Sequence, residues 1–165
     1  MKLGYTILYV ADVKQTLGFY EQAFGLTQKF LHDSGDYGEL DTGATALAFS
    51  SHRLMRELGK NPQPPQIESP CFEIALTTAD VPAAVARAVT AGATLRQAPA
   101  QMPWGQTIAY VADINGFLVE ICTPMGFRAN QSNPGAATSA SKAGSRRKLD
   151  GVTPNQRWKS RLICA

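Results

Sequence analysis

The feature that most constrains this chain is an internal repeat. Residues 4–13 read GYTILYVADV, and residues 72–81 read FEIALTTADV. One offset of 68 positions relates Tyr5 to Glu73 and also Asp12 to Asp80. A stretch that recurs with its strand pattern and its helix cap in register indicates a duplicated structural unit. The fold is therefore expected to contain two similar modules.

Each copy predicts the same order of elements. The segment YTILYVA has the β-branched and aromatic residues of a strand, and Asp12 follows it as a helix N-cap with Gln15 in the capping-box position. An apolar stripe then runs to Gly25, which ends the helix. The stripe consists of Val13, Leu17, Tyr20 and Phe24. Three short strands, TQKFLHDS, DYGELDT and TALAFSS, complete a βαβββ unit.

The second copy repeats this order. FEIALTT is a strand, Asp80 caps the helix VPAAVARAVTAG, and TLRQAP, GQTIAYVAD and FLVEICTP are three further strands. We therefore predict module one at residues 1–51 and module two at 71–125, within one domain of residues 1–125. The linker, residues 52–70, contains a short helix, HRLMRELGK, and the proline-rich NPQPPQ.

Spacing inside the modules extends the equivalence. Asp41 precedes Ala48 by seven positions, and Asp113 precedes Glu120 by seven. Ala48 and Glu120 are therefore predicted to be equivalent, as Tyr5 and Glu73 are.

Charge separates the body from a C-terminal tail, residues 126–165. The tail has eight Lys and Arg against one Asp, a net charge of +7, whereas residues 1–125 carry −4. Its first part is rich in Gly, Ser, Ala and Asn without an apolar period, which predicts disorder. Such a basic tail favours weak, non-specific nucleic-acid contact.

The remaining composition predicts a cytoplasmic protein. No apolar run approaches the roughly 20 residues that cross a bilayer, so no membrane contact is expected. The start, MKLGYTILYV, lacks the features of a signal peptide. The three cysteines, Cys71, Cys122 and Cys164, have no paired spacing, which suits a reducing compartment.

Paired βαβββ modules, each opening with a strand and an Asp-capped helix, resemble the vicinal oxygen chelate superfamily. That superfamily includes glyoxalase I, extradiol dioxygenases, fosfomycin-resistance enzymes and bleomycin-resistance proteins. The segments GYTILYVADVKQTLGFYEQAFGL and QTIAYVADINGFLVEICTP carry the resemblance. It implies an α+β, glyoxalase-like fold in which the two modules form a curled mixed-sheet cup. It also implies a homodimer, because family cups are commonly completed by a partner module.

The resemblance implies where a divalent metal would bind. The family's metal-ligand positions correspond to Tyr5, Ala48, Glu73 and Glu120, and only Glu120 keeps the expected residue type. Ala48 cannot ligate a metal. We therefore predict a binding protein that takes up a small cationic or aromatic molecule without a cofactor. The alternative is a metal-dependent lyase or dioxygenase with an atypical site of Glu73, Glu120 and His52, in which Glu120 is the best catalytic candidate, so enzymatic activity stays open.

Strand alternation leaves alternatives for the individual carboxylates and histidines. Glu120 interrupts the apolar run FLVEICT, so it either points into the cup or lies at a solvated edge. Glu73 either faces the cup or marks a strand entry at the surface. His52 shares the parity of Ala48 and Ser50, which directs it toward the cup if the strand continues, whereas His32 is expected at the surface.

Three aromatic residues are candidate pocket walls. Tyr5 and Tyr9 share one face of the first strand, and Trp104 is predicted near them by register. Trp104 is alternatively a packed aromatic. Cys122 has no cationic activator close in sequence, so a small core residue is the favoured interpretation over a reactive thiol.

Overall fold

A computed structural model describes residues 1–126 of the 165-residue chain. The predicted tail, apart from Gly126, and its expected nucleic-acid contact lie outside these residues. Module one contains β1 (Tyr5–Val10), α1 (Val13–Phe24), β2 (Gln28–Leu31), β3 (Tyr37–Leu40) and β4 (Ala46–Ser51). The linker contains α2 (His52–Glu57). Module two contains β5 (Glu73–Thr77), α3 (Val81–Thr90), β6 (Thr94–Gln101), β7 (Thr107–Ala112) and β8 (Leu118–Cys122).

The two βαβββ units of the α+β fold are confirmed. They form two four-stranded sheets with strand orders β1-β4-β3-β2 and β5-β8-β7-β6. In each sheet the first pair is parallel and the other pairs are antiparallel. Tyr5 and Glu73 each begin the edge strand of their sheet, so the repeat in the sequence is a repeat in the structure.

The helix ends follow the predicted local chemistry. Asp12 accepts a 2.8 Å hydrogen bond from the Gln15 amide, and Asp80 accepts one of 3.0 Å from the Ala83 amide. These carboxylates satisfy amides that have no partner inside the helix. Gly25 ends α1 with φ of 72°, a left-handed conformation that glycine adopts without a steric penalty.

One hydrophobic core is shared by both modules. Alternate residues of each sheet, among them Leu8 and Phe49 in the first and Val119 in the second, are buried on the face that a helix covers. Helix α1 packs on the first sheet, α3 packs on the second, and the two helices pack against each other. Helix α2 contacts β4 and β1 of the first sheet. None of the helices in the described residues 1–126 has the length and apolarity needed to cross a membrane.

Buried polar contacts join the modules. The Tyr20 hydroxyl of α1 donates a 3.0 Å hydrogen bond to Asp113 Oδ2 in the β7–β8 turn. Nearby, Asn115 Nδ2 donates to Thr16 Oγ1 at 3.1 Å. Backbone amides of the turn also donate to Asp113, so a carboxylate that is only 5% exposed has several partners. The contacts between modules are thus specific as well as apolar.

Candidate functional site

We define the first open face as the face of the first sheet turned away from α1, and the second open face as the face of the second sheet turned away from α3. Residues directly opposite one another on paired strands share a face, so the register identifies the members. The first open face comprises Tyr5, Ile7, Tyr9, Tyr37, Glu39, Ala46, Ala48 and Ser50. The second open face includes Glu73, Ala75, Thr77, Ile108, Tyr110, Ala112, Leu118, Glu120 and Cys122.

The second open face brings Glu73 and Glu120 together. Glu120 lies opposite Ala75, two residues along β5 from Glu73. Strand spacing then separates the two Cα atoms by about 8 Å, within reach of glutamate side chains. Glu73 is exposed and Glu120 is partly buried, so both carboxylates are open to a ligand from the same side.

A tyrosine positions the carboxylate of Glu120. The Tyr110 hydroxyl donates a 2.8 Å hydrogen bond to Glu120 Oε2. Burial, together with that hydrogen bond and the negative charge of Glu120, raises the pKa of Tyr110. The phenol therefore stays protonated near neutral pH and donates its hydrogen bond to Glu120.

The two carboxylates have no cationic partner in the described part of the chain. Burial, and then the charge of Glu120, raises the pKa of Glu73. The ion pairs of residues 1–126 involve Asp36, Glu39, Glu57 and Glu68, but neither Glu73 nor Glu120. A cation placed between the two glutamates would relieve their repulsion.

Cys122 lies on the same face, two residues beyond Glu120. Its side chain is buried, and burial followed by the hydrogen bond and charge of Glu120 raises the pKa of the thiol to about 12. A thiol with that pKa stays protonated at neutral pH and is a poor nucleophile. This environment supports the interpretation of Cys122 as a small packed residue.

Aromatic side chains dominate the first open face. Tyr5 is 57% exposed, and Ile7 is also exposed beside it on β1. Lys60 from the linker donates a 3.2 Å hydrogen bond to the Tyr9 hydroxyl, and its ammonium lies 5.5 Å from the centre of the Tyr9 ring. This face already holds one cation–π contact within the chain.

His52 begins the linker helix that the segment HRLMRELGK predicted, so β4 does not continue to it. Ser51 Oγ accepts a 3.0 Å hydrogen bond from the Leu54 amide, which starts α2 at His52. The imidazole Nε2 lies 3.1 Å from the backbone oxygen of Tyr9. The alternative in which a continued strand directs His52 toward the cup does not hold, because β4 ends at the serine cap.

Trp104 lies in the turn between β6 and β7. Its ring is 52% exposed, and Nε1 donates a 2.8 Å hydrogen bond to Gln106 Oε1. Within residues 1–126, no aromatic contact joins it to Tyr5 or Tyr9. The single chain thus does not assemble the predicted wall of three aromatics.

His32 is exposed with Nδ1 2.9 Å from Ser34 Oγ, in keeping with its expected surface position.

Sequence reasoning missed Glu39 and Tyr37 on the first open face. Glu39 lies opposite Ala48, and its carboxylate accepts a 2.9 Å hydrogen bond from Tyr37 and pairs with Lys29 at 3.6 Å. Burial and the neighbouring Glu39 raise the pKa of Tyr37 to about 12. The signal was the alternation in YGEL, which places Tyr37 and Glu39 on one face of β3.

The two hairpins that hold these residues differ in length. Leu40 pairs with Leu47 in module one, whereas the equivalent pair in module two is Val111 with Val119. The β7–β8 connection is therefore one residue longer, and Asp41 and Asp113 are not equivalent, although their equal spacings suggested it. Ala48 and Glu120 are equivalent nevertheless, because β4 and β8 pair in the same way with β1 and β5.

The side chains present do not fit a divalent metal site of the implied kind. Within residues 1–126, no three His, Cys, Asp or Glu side chains converge so that they could hold a metal ion. The alternative set of Glu73, Glu120 and His52 is not brought together. Ala48 offers no donor atom, and the Tyr5 phenol is not among the ligand types that divalent metals of this kind prefer.

Comparison with known proteins agrees with this architecture. The family model described as Glyoxalase/Bleomycin resistance protein/Dioxygenase superfamily matches residues 2–121. A glyoxalase-related enzyme from Fulvimarina pelagi has 21% identity and a TM-score of 0.66, with 86% of this chain and 99% of that chain covered. A glyoxalase/bleomycin resistance protein/dioxygenase family enzyme from Burkholderia phytofirmans PsJN has 22% identity and a TM-score of 0.63, with coverages of 74% and 98%.

A third solved structure is also similar. TioX from Micromonospora sp. ML1 has 20% identity and a TM-score of 0.57, covering 74% of this chain and 98% of that chain. No curated protein matches the sequence significantly. At these identities the solved structures support the fold alone.

Proposed function

The chain belongs to the Glyoxalase/Bleomycin resistance protein/Dioxygenase superfamily, and we propose that this member binds a small cationic, partly aromatic molecule without a metal ion. The observation that carries the proposal is the pair Glu73 and Glu120 on the second open face. Tyr110 holds one of these carboxylates, and no cation of the described chain neutralises either.

Electrostatics favours a cation over an anion at this pair. Two opposite charges 4 Å apart attract by about 1 kcal/mol in water and about 4 kcal/mol near a protein surface. Each carboxylate contributes separately, and an anion of the same shape would be repelled by both. Removing one charge is therefore expected to weaken a cation by about 1–3 kcal/mol, within this Coulomb range.

Tyr5 and Tyr9 on the first open face are the residues that support a preference for an aromatic ligand. We propose that a homodimer brings this face of one copy toward the second open face of the other. The exposure of Tyr5 and Ile7, and the unpaired outer edges of β1 and β5, leave surfaces that association would cover. Sedimentation equilibrium tests this step, and a monomer at every concentration would contradict it.

Calorimetry with matched ligands tests the binding proposal. Benzyltrimethylammonium and benzylsulfonate share a ring and a methylene but carry opposite charges. We expect the cation to bind more tightly, and Glu120→Gln to weaken it about 5-fold to 150-fold, which is 1–3 kcal/mol. Gln keeps an oxygen that can accept from Tyr110, so the variant changes charge with little change in shape.

The control variant is Glu21→Gln, which removes one exposed charge from α1, away from the open faces. It is expected to leave binding of benzyltrimethylammonium unchanged. Tighter binding of benzylsulfonate, or equal effects of Glu120→Gln and Glu21→Gln, would refute a carboxylate-lined binding face.

A metal-dependent lyase or dioxygenase is the second candidate, favoured by the carboxylate that Glu120 provides. Elemental analysis of the purified protein separates the two candidates. We expect less than stoichiometric Ni, Zn, Mn or Fe. One such ion per chain that is lost in Glu120→Gln would instead support the enzyme.

A further inference from the structure

A cavity of about 290 Å³ lies where the two modules meet, at the C-terminal end of α1 and beside β5. Module one contributes Phe24, Leu26 and Thr42 to its lining, and module two contributes residues of β5, α3 and β8. Its volume is close to the lower end of the range of about 300–1,000 Å³ that is usual for small-molecule pockets. We call it the junction cavity, and the proposed function does not use it.

Arg87 of α3 is the charged residue of the junction cavity. Its Nε donates a 2.8 Å hydrogen bond to the backbone oxygen of Ala23, in the last turn of α1. That bond fixes the guanidinium between the modules and leaves the N–H groups of both Nη atoms as donors. Among residues 1–126, no ion pair includes Arg87. The cavity therefore offers a held cation that can pair with a ligand.

The rest of the lining carries no charge. Leu76 and Ile121 lie opposite each other on the face of the second sheet that α3 covers, and Leu26 adds a third aliphatic side chain. The uncharged polar residues of the lining are Thr42, Thr77 and Thr78. Glu73 and Glu120 are not part of it, since their side chains lie on the opposite face of the sheet. The surroundings thus combine one cation with an aliphatic surface.

We propose that the junction cavity binds a small carboxylate with a branched aliphatic body. The carboxylate accepts hydrogen bonds from the Nη atoms of Arg87, and the body contacts Leu26, Leu76 and Ile121. A guanidinium and a carboxylate fit each other through two parallel N–H···O bonds, which makes this pairing strong and dependent on geometry. The inference goes beyond the proposed function, because it concerns a different part of the molecule and a ligand of opposite charge.

Calorimetry of the full-length chain with isocaproate and its primary amide tests the proposal. The two compounds share the same branched body, and only the acid is charged at pH 7. We expect the acid to bind about ten-fold more tightly than the amide, because the amide offers Arg87 a single neutral acceptor. Equal affinities, or no binding of the acid at about 10 mM, would overturn the proposal.

Substitution of Arg87 locates the binding. Arg87→Gln is expected to reduce the preference for the acid over the amide from about ten-fold to about two-fold or less. Lys14→Gln is the control for net charge, because Lys14 is exposed on α1 and does not line the cavity. It is expected to keep the wild-type preference. A preference for the acid that survives Arg87→Gln would overturn the assignment.

The ratio of acid to amide affinity also separates recognition from a structural role of Arg87. Loss of the bond to Ala23 would affect both compounds alike if Arg87 only held the modules together, so the ratio would not change. Arg87→Lys keeps the charge but lacks the planar pair of donors. It is expected to lower the ratio about three-fold, and it decides the question if Arg87→Gln does not fold. An unchanged ratio in Arg87→Lys would then refute the paired contact.

The proposed function and this inference fail separately. Glu120→Gln is expected to leave isocaproate binding unchanged, and tighter binding in that variant would move the acid to the second open face and overturn the junction site. Benzylsulfonate is titrated into Arg87→Gln as well as into the wild type, so that binding of this anion in the junction cavity is told apart from binding near Glu120. Absence of benzyltrimethylammonium binding would refute the proposed function alone.

Discussion

Replacing Tyr20 by Phe tests whether the buried contact with Asp113 holds the two modules together. The change removes one hydroxyl and keeps the ring, which packs against Phe19, Phe24 and Phe49 with centroids 5.1–5.5 Å away. The change removes the 3.0 Å hydrogen bond that the Tyr20 hydroxyl donates to the buried Asp113 carboxylate. Hydrogen bonds to charged groups contribute about 1.5–3 kcal/mol, so we expect unfolding free energy at pH 7 to fall by about 2 kcal/mol.

The effect should depend on pH with a definite sign. Burial raises the pKa of Asp113, while hydrogen bonds from Phe117 and Tyr20 oppose that shift. The Tyr20 hydroxyl stabilises the charged carboxylate, so its loss matters most above the raised pKa of Asp113. As pH falls through that pKa the carboxyl becomes protonated, and the difference between Tyr20→Phe and wild type should shrink.

Urea unfolding followed by circular dichroism measures the unfolding free energy and its dependence on pH. In a thermal melt, a loss of about 2 kcal/mol would lower Tm by about 8 °C for a folded body of this size. Tyr37→Phe is the matched control, because it removes a hydroxyl that contacts the partly exposed Glu39 on an open face. We expect it to change stability by less than about 1 kcal/mol. A Tyr20→Phe loss no larger than that of the control, or one independent of pH, would refute the reasoning.

Three further outcomes are expected. Gly38→Ala should destabilise the fold by about 1–3 kcal/mol in urea unfolding, because an added Cβ would lie 2.7 Å from Leu17 Cδ1. Gly18→Ala, whose Cβ would meet nothing within 4 Å inside α1, should instead stabilise by up to about 1 kcal/mol; equal effects would contradict the packing argument. Truncation after Gly126 should keep Tm within a few degrees in calorimetry, and a large loss would show that the body depends on the tail. Titrated by calorimetry, benzyltrimethylammonium should bind more weakly as pH falls through the raised pKa of Glu73, since protonation removes one attracting charge; affinity independent of pH would argue against Glu73.

Local chemistry in the sequence predicted the elements well. Asp12 and Asp80 cap their helices, and Gly25 ends α1, because each signal acts within a few residues. The linker helix predicted from HRLMRELGK does begin at His52, and Ser51 caps it. The hydrogen bond from the Leu54 amide to Ser51 forms this cap, so the shared parity of His52 with Ala48 and Ser50 has no structural consequence.

Site residues were harder to predict because their neighbours are set by strand register. Glu73 and Glu120 emerged from the repeat, which compares equivalent positions directly. Glu39 and Tyr110 did not emerge from it, because comparing equivalent positions does not show which residues lie opposite each other on paired strands. Trp104 lies between β6 and β7, as the predicted strands TLRQAP and GQTIAYVAD indicated, but those strands do not determine its distance from Tyr5 and Tyr9.

The two modules differ in the charged residues of their open faces as well as in the length of their β3–β4 and β7–β8 hairpins. The modules repeat each other in strand order, but the first open face has its carboxylate on β3, at Glu39, and the second has carboxylates on β5 and β8, at Glu73 and Glu120. Lys29 balances Glu39, whereas Glu120 keeps its charge available. Under the proposed function, a molecule with two identical ends would meet unlike surroundings on the two open faces, so we expect a guest whose ends differ to bind more tightly.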